Sequence, residues 1–192
     1  MESETAVMLT RLQDLDPVVS TGKIAYWLCA SAGIRQGIRN LALQYLIDTG
    51  QQDWIRKSLP HFVEADTLRL AFLSKLPDAL VEMEGVRELV CWGGRQMLEK
   101  FPIEVTQMKG LETLSLPANG ISRLPEGLCR MQSLRFLDLS YNPLEVLPDC
   151  LADMPALAHL IITRPMLREK AASQLETLAI SSPELTIESV AS

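Results

Sequence analysis

The chain has 192 residues and a formal net charge of −6, and 47% of its residues are hydrophobic while only 5% are aromatic. This length suits one main domain with a small additional unit, and the composition predicts a core built mainly from aliphatic side chains. The acidic balance disfavours nucleic acids and anionic membrane surfaces as general partners.

The amino-terminal sequence predicts neither a secretion signal nor a membrane span. Residues 1–17 are acidic and lack the basic start and apolar run of a cleaved signal peptide. The longest apolar run, near residues 24–32, is too short to cross a bilayer. We therefore expect a soluble cytoplasmic protein, although export without a cleaved signal stays open.

Residues 1–62 carry no repeat and predict a helical N-terminal cap. A first short helix is expected to end near Pro17, and a second to begin after Gly22. The last predicted helix of this segment is short and lies around Trp54, before Pro60.

The third predicted helix has the broadest apolar stripe of the segment. Its apolar residues recur at the spacing of one helix face. They are Ile34, Ile38, Leu41, Tyr45 and Leu46. Gly50 follows at the usual place for a residue just past a helix end. We expect the stripe to be buried against the first repeat, around Leu68 and Leu70.

Two features of this segment invite a ligand-binding interpretation. Thr21-Gly22-Lys23 is similar to the end of a phosphate-binding loop, but Pro17 stands where that motif needs its first glycine, and Ile24 where it needs Ser or Thr. Trp27 and Tyr45 suit the lining of a pocket, but aromatic residues at helical spacing are more often core. We predict no nucleotide site and a core position for both aromatic residues.

The following part of the chain contains an internal repeat of 23 residues. Residues 111–133 and 134–156 share Leu at repeat positions 1, 4 and 6, Asn at 9, Leu-Pro at 14 and 15, Leu at 18 and Met at 21. So many identities in one register identify a repeat. The alternation around positions 4 to 6 predicts a short strand with one buried face.

The other shared residues have separate functions. Asn119 and Asn142 stand where the chain leaves the strand, and their amides can donate to and accept from backbone groups that the turn leaves unpaired. The Leu-Pro pair marks the turn to the other side, because proline fixes φ and needs no hydrogen-bond acceptor. Leu128 and Met131, with their equivalents in the next repeat, are expected to continue the buried stripe there.

The repeat extends over residues 63–167 and weakens at both ends. Val86, Leu89 and Cys91 fit positions 1, 4 and 6 of an earlier strand, with Gln96 in the place of the asparagine. One repeat cannot bury its apolar face alone, so we expect a stacked array of four to five units with capped ends.

Residues 168–192 predict a C-terminal cap and tail. The segment 167–178 has the pattern of a helix, although its last apolar residues also fit a degenerate strand. Residues 185–187 suggest an edge strand before the tail.

The pattern LxxLxLxxNxL followed by LPxxL resembles the leucine-rich repeat in its 23-residue intracellular form. Similar units occur in Ras-suppressor and plant intracellular Ras-group proteins, and in bacterial repeat proteins, some of them effectors. The resemblance covers residues 67–167. It implies an α/β fold: a short right-handed solenoid whose parallel β-sheet lines a concave face, with the N-terminal helical cap in front of it.

In leucine-rich repeat proteins the outward side chains of the strands line the concave face, which gives a candidate partner-binding surface. Aromatic residues and arginine on a rigid surface are typical of binding hot spots. The candidate residues are Trp92, Thr113, Ser115, Phe136, Asp138, Tyr141, His159 and Arg164. In the alternative interpretation, the aromatic residues only cover the sheet or pack on the caps, and Asp138 is simply solvated.

The same residues give little reason to expect catalysis. His159 and Asp138 lie on neighbouring predicted strands as a potential base and orienting group, but no nucleophile is placed beside them. An open sheet also offers little shelter from water. We predict a non-enzymatic protein without cofactor or metal.

The four cysteines show no metal-ligand spacing. Cys91 occupies an inward strand position and should behave as a small hydrophobic residue. Cys129 and Cys150 lie on neighbouring repeats, where a disulfide is compatible with the sequence but not required by it. We predict a reducing compartment.

Together these features favour a module that binds a protein partner through its concave face. The alternative is a structural or regulatory subunit, or a secreted bacterial effector, that docks through its helical cap. The sequence leaves the identity of the partner and the oligomeric state open.

Overall fold

The computed structural model describes residues 25–26, 28–31, 34–94 and 97–190. The chain divides into two compact units, Met1–His61 and Phe62–Ser192. The first predicted helix, the start of the second, the Thr21-Gly22-Lys23 sequence, Trp27 and Gln96 lie outside the described residues.

The described part of the first unit is helical. Residues 25–26 and 28–30 are in helical conformation. They are followed by α1, Gln36–Asp48, and α2, Gln52–Ser58. Gly50 has a φ of +68° just after α1, as expected for a glycine that ends a helix. The structure therefore confirms the two predicted helices that lie within the described residues.

The buried face of α1 differs from the predicted one. Its buried residues are Asn40, Ala42, Leu43, Gln44, Leu46 and Ile47. Of the predicted stripe, Leu46 is buried, whereas Ile38, Leu41 and Tyr45 are exposed. The core position predicted for Tyr45 is therefore wrong.

Hydrogen bonding within α1 explains this difference. The Asn40 side chain donates to the backbone carbonyl of Gln36, and the Gln44 side chain donates to the carboxylate of Asp48. A polar side chain whose hydrogen bonds are made locally can be buried at little cost. Apolar spacing alone does not reveal such a face.

The second unit is a seven-stranded sheet in which the strand order follows the chain. The strands are β1 Val63–Glu64, β2 Thr67–Ala71, β3 Glu88–Trp92, β4 Thr113–Ser115, β5 Phe136–Asp138, β6 His159–Ile162 and β7 Thr186–Ser189. β1 and β2 are antiparallel, and each following pair of described strands is parallel. The predicted parallel sheet is confirmed.

Leucines at equivalent repeat positions form continuous buried rows. Leu89, Leu114 and Leu137 pair in register on neighbouring strands, and all three are fully buried. The inward residues predicted for the opposite side are buried as well. They are Leu128, Met131, Leu151 and Met154. Each coil thus buries its apolar side against the next coil.

On the return path, a 3₁₀ helix follows each Leu-Pro or Phe-Pro pair. These helices span Asp78–Glu82, Ile103–Gln107, Glu126–Arg130 and Asp149–Asp153. The proline in each case precedes the first helical residue in an extended conformation. It therefore acts as the turn residue that the sequence predicted.

Asn119 and Asn142 connect their coils to the preceding ones. The Oδ1 atom of Asn119 accepts from the backbone N–H of Leu98 at 2.9 Å, and its Nδ2 atom donates to the carbonyl of Cys91 at 3.0 Å. Asn142 makes the equivalent bonds one coil later, at 3.1 and 2.8 Å. Both side chains are buried. This confirms the predicted pairing of both amides with backbone groups, and we call these bonds between successive coils the asparagine ladder.

Cys129 and Cys150 form a disulfide that joins neighbouring coils on the return side, with their Cα atoms 5.9 Å apart. The sequence was compatible with this disulfide without requiring it, and the structure contains it. Cys29 and Cys91 are buried free thiols. Burial raises the pKa of Cys91 to about 12, in keeping with the small hydrophobic residue predicted at this position.

After the array, α3 spans Glu169–Ser181. The predicted C-terminal helix is therefore confirmed, and the alternative strand is wrong. β7 pairs in parallel with β6, which confirms the suggested edge strand. The predicted boundaries of the caps and of the array stay predictions.

Replacing Asn142 tests the ladder. Asn142→Ala removes the side-chain partners of the Ile121 N–H and the Leu116 carbonyl, and unpaired buried backbone groups are costly. We expect the free energy of unfolding in urea to fall by about 2–4 kcal/mol. Gln132→Ala is the control, because it removes a side-chain amide that is exposed. It should change the free energy of unfolding by less than about 0.5 kcal/mol. Equal losses in the two variants would contradict the ladder.

A second prediction concerns Gly93, where two coils approach closely. A Cβ atom on Gly93 would lie 1.8 Å from the carbonyl oxygen of Ala118, so Gly93→Ala must push the two backbones apart. We expect a loss of about 1–3 kcal/mol in the free energy of unfolding. Gly110→Ala is the matched control, since a Cβ atom there meets nothing within 4 Å. The close approach is refuted if both variants unfold at the same urea concentration.

Candidate functional site

The candidate site is the outward side of the sheet, which we call the concave face. It consists of the outward side chains of β2 to β6. They are Arg69, Glu88, Val90, Trp92, Thr113, Ser115, Phe136, Asp138, His159 and Ile161. The strand register fixes which of them are neighbours.

One row of the concave face runs through Glu88, Thr113, Phe136 and His159, which are paired in register. The rings of Phe136 and His159 lie 6.0 Å apart between centroids, at an interplanar angle of 38°. Phe136 is half-buried, and His159 is exposed. The register therefore brings three of the predicted site residues into one continuous strip.

A second row contains Val90, Ser115, Asp138 and Ile161. The Ser115 hydroxyl donates to Asp138 Oδ2 at 2.9 Å, and the backbone N–H of Ser140 donates to Asp138 Oδ1 at 2.9 Å. Asp138 is thus held by its own sheet, which differs from the simply solvated carboxylate considered as an alternative.

This hydrogen bonding also bears on the potential base and orienting group. Asp138 pairs across the sheet with Ile161, whereas His159 pairs with Phe136. Both oxygens of the Asp138 carboxylate accept hydrogen bonds from other groups. The structure does not place Asp138 as the orienting partner of His159.

Four exposed side chains at the carboxyl ends of the strands form what we call the carboxyl rim. They are Phe72, Tyr141 and Arg164, together with Trp92 from the concave face. Trp92 is 56% exposed, Phe72 43% and Tyr141 39%. Trp92 pairs with Ala71, so Phe72 follows directly on the neighbouring strand. Sequence reasoning missed Phe72, although placing Leu68 and Leu70 at repeat positions 4 and 6 puts it at position 8, like Tyr141.

Three residues at the carboxyl ends of the strands have a left-handed backbone conformation. Phe72, Ala118 and Tyr141 have φ values of +58°, +55° and +56°. This left-handed region is sparsely occupied by residues other than glycine. The N–H of Tyr141 donates to the Thr163 hydroxyl at 2.9 Å, which ties the turn to the next coil. Two of the rim aromatic residues, Phe72 and Tyr141, are therefore presented by turns that share a positive φ.

The described residues contain no group of three or more His, Cys, Asp or Glu side chains that could hold a metal ion. Among those same residues, no helix is both long and apolar enough to cross a membrane. The chemistry that the face offers is apolar contact from its aromatic rings, with hydrogen bonds and charges of both signs around them.

These features define a class of protein, a parallel β-solenoid with an open sheet face. Residues 109–164 match the family model described as leucine rich repeat. With the leucine rows and the asparagine ladder, this match identifies residues 109–164 as leucine-rich repeats. Leucine-rich repeats are in general protein-interaction modules.

Two solved structures are similar to the chain. The LRR protein LIC12759 of Leptospira interrogans shares 19% identity over 70% of this chain and 38% of its own, with a TM-score of 0.49. The LRR ectodomain of the receptor kinase SOBIR1 of Arabidopsis thaliana shares 22% identity over 65% of this chain and 64% of its own, with a TM-score of 0.44. This chain spans less than two thirds of either structure. No curated protein sequence matches it significantly.

Asp138 should contribute to stability as well as to the surface. Asp138→Ala removes the acceptor of the Ser115 hydroxyl and of the Ser140 N–H, and we expect it to lower the free energy of unfolding by about 1–2 kcal/mol. Asp138→Asn keeps a side-chain oxygen for the Ser140 N–H and should lose less. Urea denaturation of both variants checks this order, and an unchanged stability of Asp138→Ala would refute it.

Proposed function

We propose that this protein is a non-catalytic interaction module that binds a protein partner through its concave face and carboxyl rim. The observation that carries the proposal is the set of aromatic side chains left accessible on a fixed backbone. Phe136 is half-buried, while Trp92 and Tyr141 are exposed. Large aromatic side chains held in this way supply most of the binding energy in many interfaces.

The rigidity of the surface supports the proposal. The strand that presents Phe136 is paired on both sides, and buried Asn142 fixes the turn that presents Tyr141. A surface that is already ordered loses little conformational entropy on binding. This arrangement suits recognition of a folded or extended protein segment.

The charges of the site favour a protein over a nucleic acid. The carboxylates of Glu88 and Asp138 lie on the concave face, and Arg164 lies at the rim. Nucleic-acid surfaces instead concentrate lysine and arginine, because they neutralise phosphates. The net charge of −6 would repel the phosphates of a nucleic acid.

The absence of catalysis is inferred from the way the polar groups are used. The Ser115 hydroxyl donates to Asp138, and His159 lies against the Phe136 ring. The carboxylate of Asp138 is a weak base, and its other oxygen accepts from the Ser140 N–H. His159 is paired with Phe136 rather than placed beside Ser115. Neither group is therefore placed to activate the serine hydroxyl.

The experiment compares partner capture by the wild type and by a Phe136→Glu, Tyr141→Glu variant from a lysate of the source organism. A carboxylate at each position would be desolvated in the interface, so we expect the affinity for the captured protein to fall at least about tenfold. Mass spectrometry identifies the captured protein, and titration calorimetry measures the affinity.

The matched control is Ile103→Glu, because Ile103 is an exposed apolar side chain on the 3₁₀ side of the array. This variant should bind as the wild type does. Circular dichroism and urea denaturation must show all variants folded. A partner that binds the Phe136→Glu, Tyr141→Glu variant with unchanged affinity contradicts the proposal.

A second candidate function is a structural or regulatory subunit that docks through its helical unit. The exposed side chains of Ile38, Leu41 and Tyr45 on α1 favour it, since they recur at the spacing of one helix face. Leu41→Glu in the same capture experiment separates the two functions. Loss of the partner in this variant alone would support docking through the helices.

The cytoplasmic location belongs to the proposal as well. It rests on the reducing compartment that the cysteine pattern predicted. The disulfide between Cys129 and Cys150 is an argument for an oxidising compartment, because such bonds are rare in the cytosol. A secreted effector would agree with this bond.

A further inference from the structure

We propose that the Cys129–Cys150 disulfide is a site of reversible thiol–disulfide exchange that controls how firmly the β5 coil is held. The two cysteines lie in the 3₁₀ helices of neighbouring repeats and are 21 residues apart in the chain. The closed segment contains β5, with Phe136, Asp138 and Tyr141 in and directly after it. One covalent bond therefore encloses the coil that carries three of the candidate binding residues.

The position of the disulfide makes it accessible to a reductant. Both cysteines are only partly buried, and both line a surface groove on the return side of the array. Two basic residues, Arg130 and Lys170, and two acidic ones, Glu126 and Asp149, line the same groove, so its formal charges balance. Access to the sulfur atoms, and not local charge, is therefore what makes exchange possible here, with a thiolate as the attacking and the leaving species.

The other two cysteines of the chain are placed differently. Cys29 and Cys91 are at most 1% exposed, and burial raises their pKa values to about 11 and about 12. Neither is accessible or ionised at neutral pH, so neither competes in exchange. The structure thus divides the four cysteines into a surface pair and two inert core residues.

The exchange needs a dithiol reductant, such as a thioredoxin-class protein or dithiothreitol. One reductant thiolate attacks a sulfur of the disulfide, a mixed disulfide forms, and the other protein sulfur leaves as a thiolate that takes up a proton. The second reductant thiol then displaces the remaining protein sulfur. Two electrons pass to the protein, which ends with two thiols, while the reductant ends with one disulfide.

Reduction removes the covalent restraint on the coil and leaves the noncovalent ones, among them its leucines, the ladder bonds of Asn142 and the strand pairing of β5. A disulfide restricts the unfolded chain, so its loss should lower the stability of the second unit and let this coil open more often. The inference concerns the chain alone and does not depend on the proposed partner.

The test uses the full purified chain, equilibrated either with oxidised glutathione or with dithiothreitol, and then alkylated with iodoacetamide while folded. In the oxidised sample, we expect a linked peptide pair and no label on any cysteine. In the reduced sample, Cys129 and Cys150 should be labelled, while Cys29 and Cys91 react only in denaturant. The Tm should fall by about 5–15 °C on reduction and recover after oxidised glutathione is added again.

Hydrogen exchange locates the effect. Amide exchange of residues 136–142 should become several-fold faster on reduction, and exchange in β2 and β3 should not change. The Cys129→Ser, Cys150→Ser variant is the matched control. Its Tm should lie near that of the reduced wild type and should not respond to dithiothreitol.

Three results would overturn the inference. The first is labelling of Cys129 and Cys150 in the oxidised sample, because the disulfide would then not form. The second is a disulfide that dithiothreitol opens only in denaturant, since the bond would then be shielded. The third is reduction without a change in Tm or in amide exchange, because the bond would then not hold the coil.

Discussion

The buried asparagine amide after β4 and after β5 is the interaction on which the centre of the array depends. Where the chain leaves a strand, its backbone groups lose their partners in the sheet, yet they stay in the interior. The Asn142 amide accepts from one backbone N–H and donates to backbone carbonyls of its own coil and of the preceding coil. One side chain thus solves two problems, the turn itself and the spacing between coils.

The same turn shapes the candidate site. For the asparagine to point inward, the chain must reverse sharply, and the residue before it takes a positive φ in Tyr141 and Ala118. Such a conformation costs a non-glycine residue of the order of 1 kcal/mol, so it persists only where the surroundings enforce it. At Tyr141 the Thr163 hydroxyl and the Asn142 ladder do so. The hydrogen bonds that the buried turn requires therefore also place the Tyr141 ring on the rim.

The array could be predicted from the sequence because its burial is periodic. From residue 111 to residue 156, the leucines, the asparagines and the turn prolines each repeat after 23 residues, so one physical reason recurs in register. The face of α1 could not be predicted in this way, because Asn40 and Gln44 are buried through local hydrogen bonds. The hydrogen bond from Ser115 to Asp138 could not be predicted from the sequence either. The repeat spacing places the two side chains next to each other on neighbouring strands, but it does not say which groups they contact.

The disulfide shows where sequence spacing stops being informative. Cys129 and Cys150 occupy different repeat positions, so the periodic frame gives no reason to pair them, but the 3₁₀ helices bring their Cα atoms to 5.9 Å. The coil between them is then restrained by its leucines, by Asn142 and by a covalent bond. A coil held by three independent restraints loses little further entropy when a partner binds. Because Phe136 and Tyr141 lie on this coil, binding energy on the concave face should be concentrated there rather than spread evenly along the array.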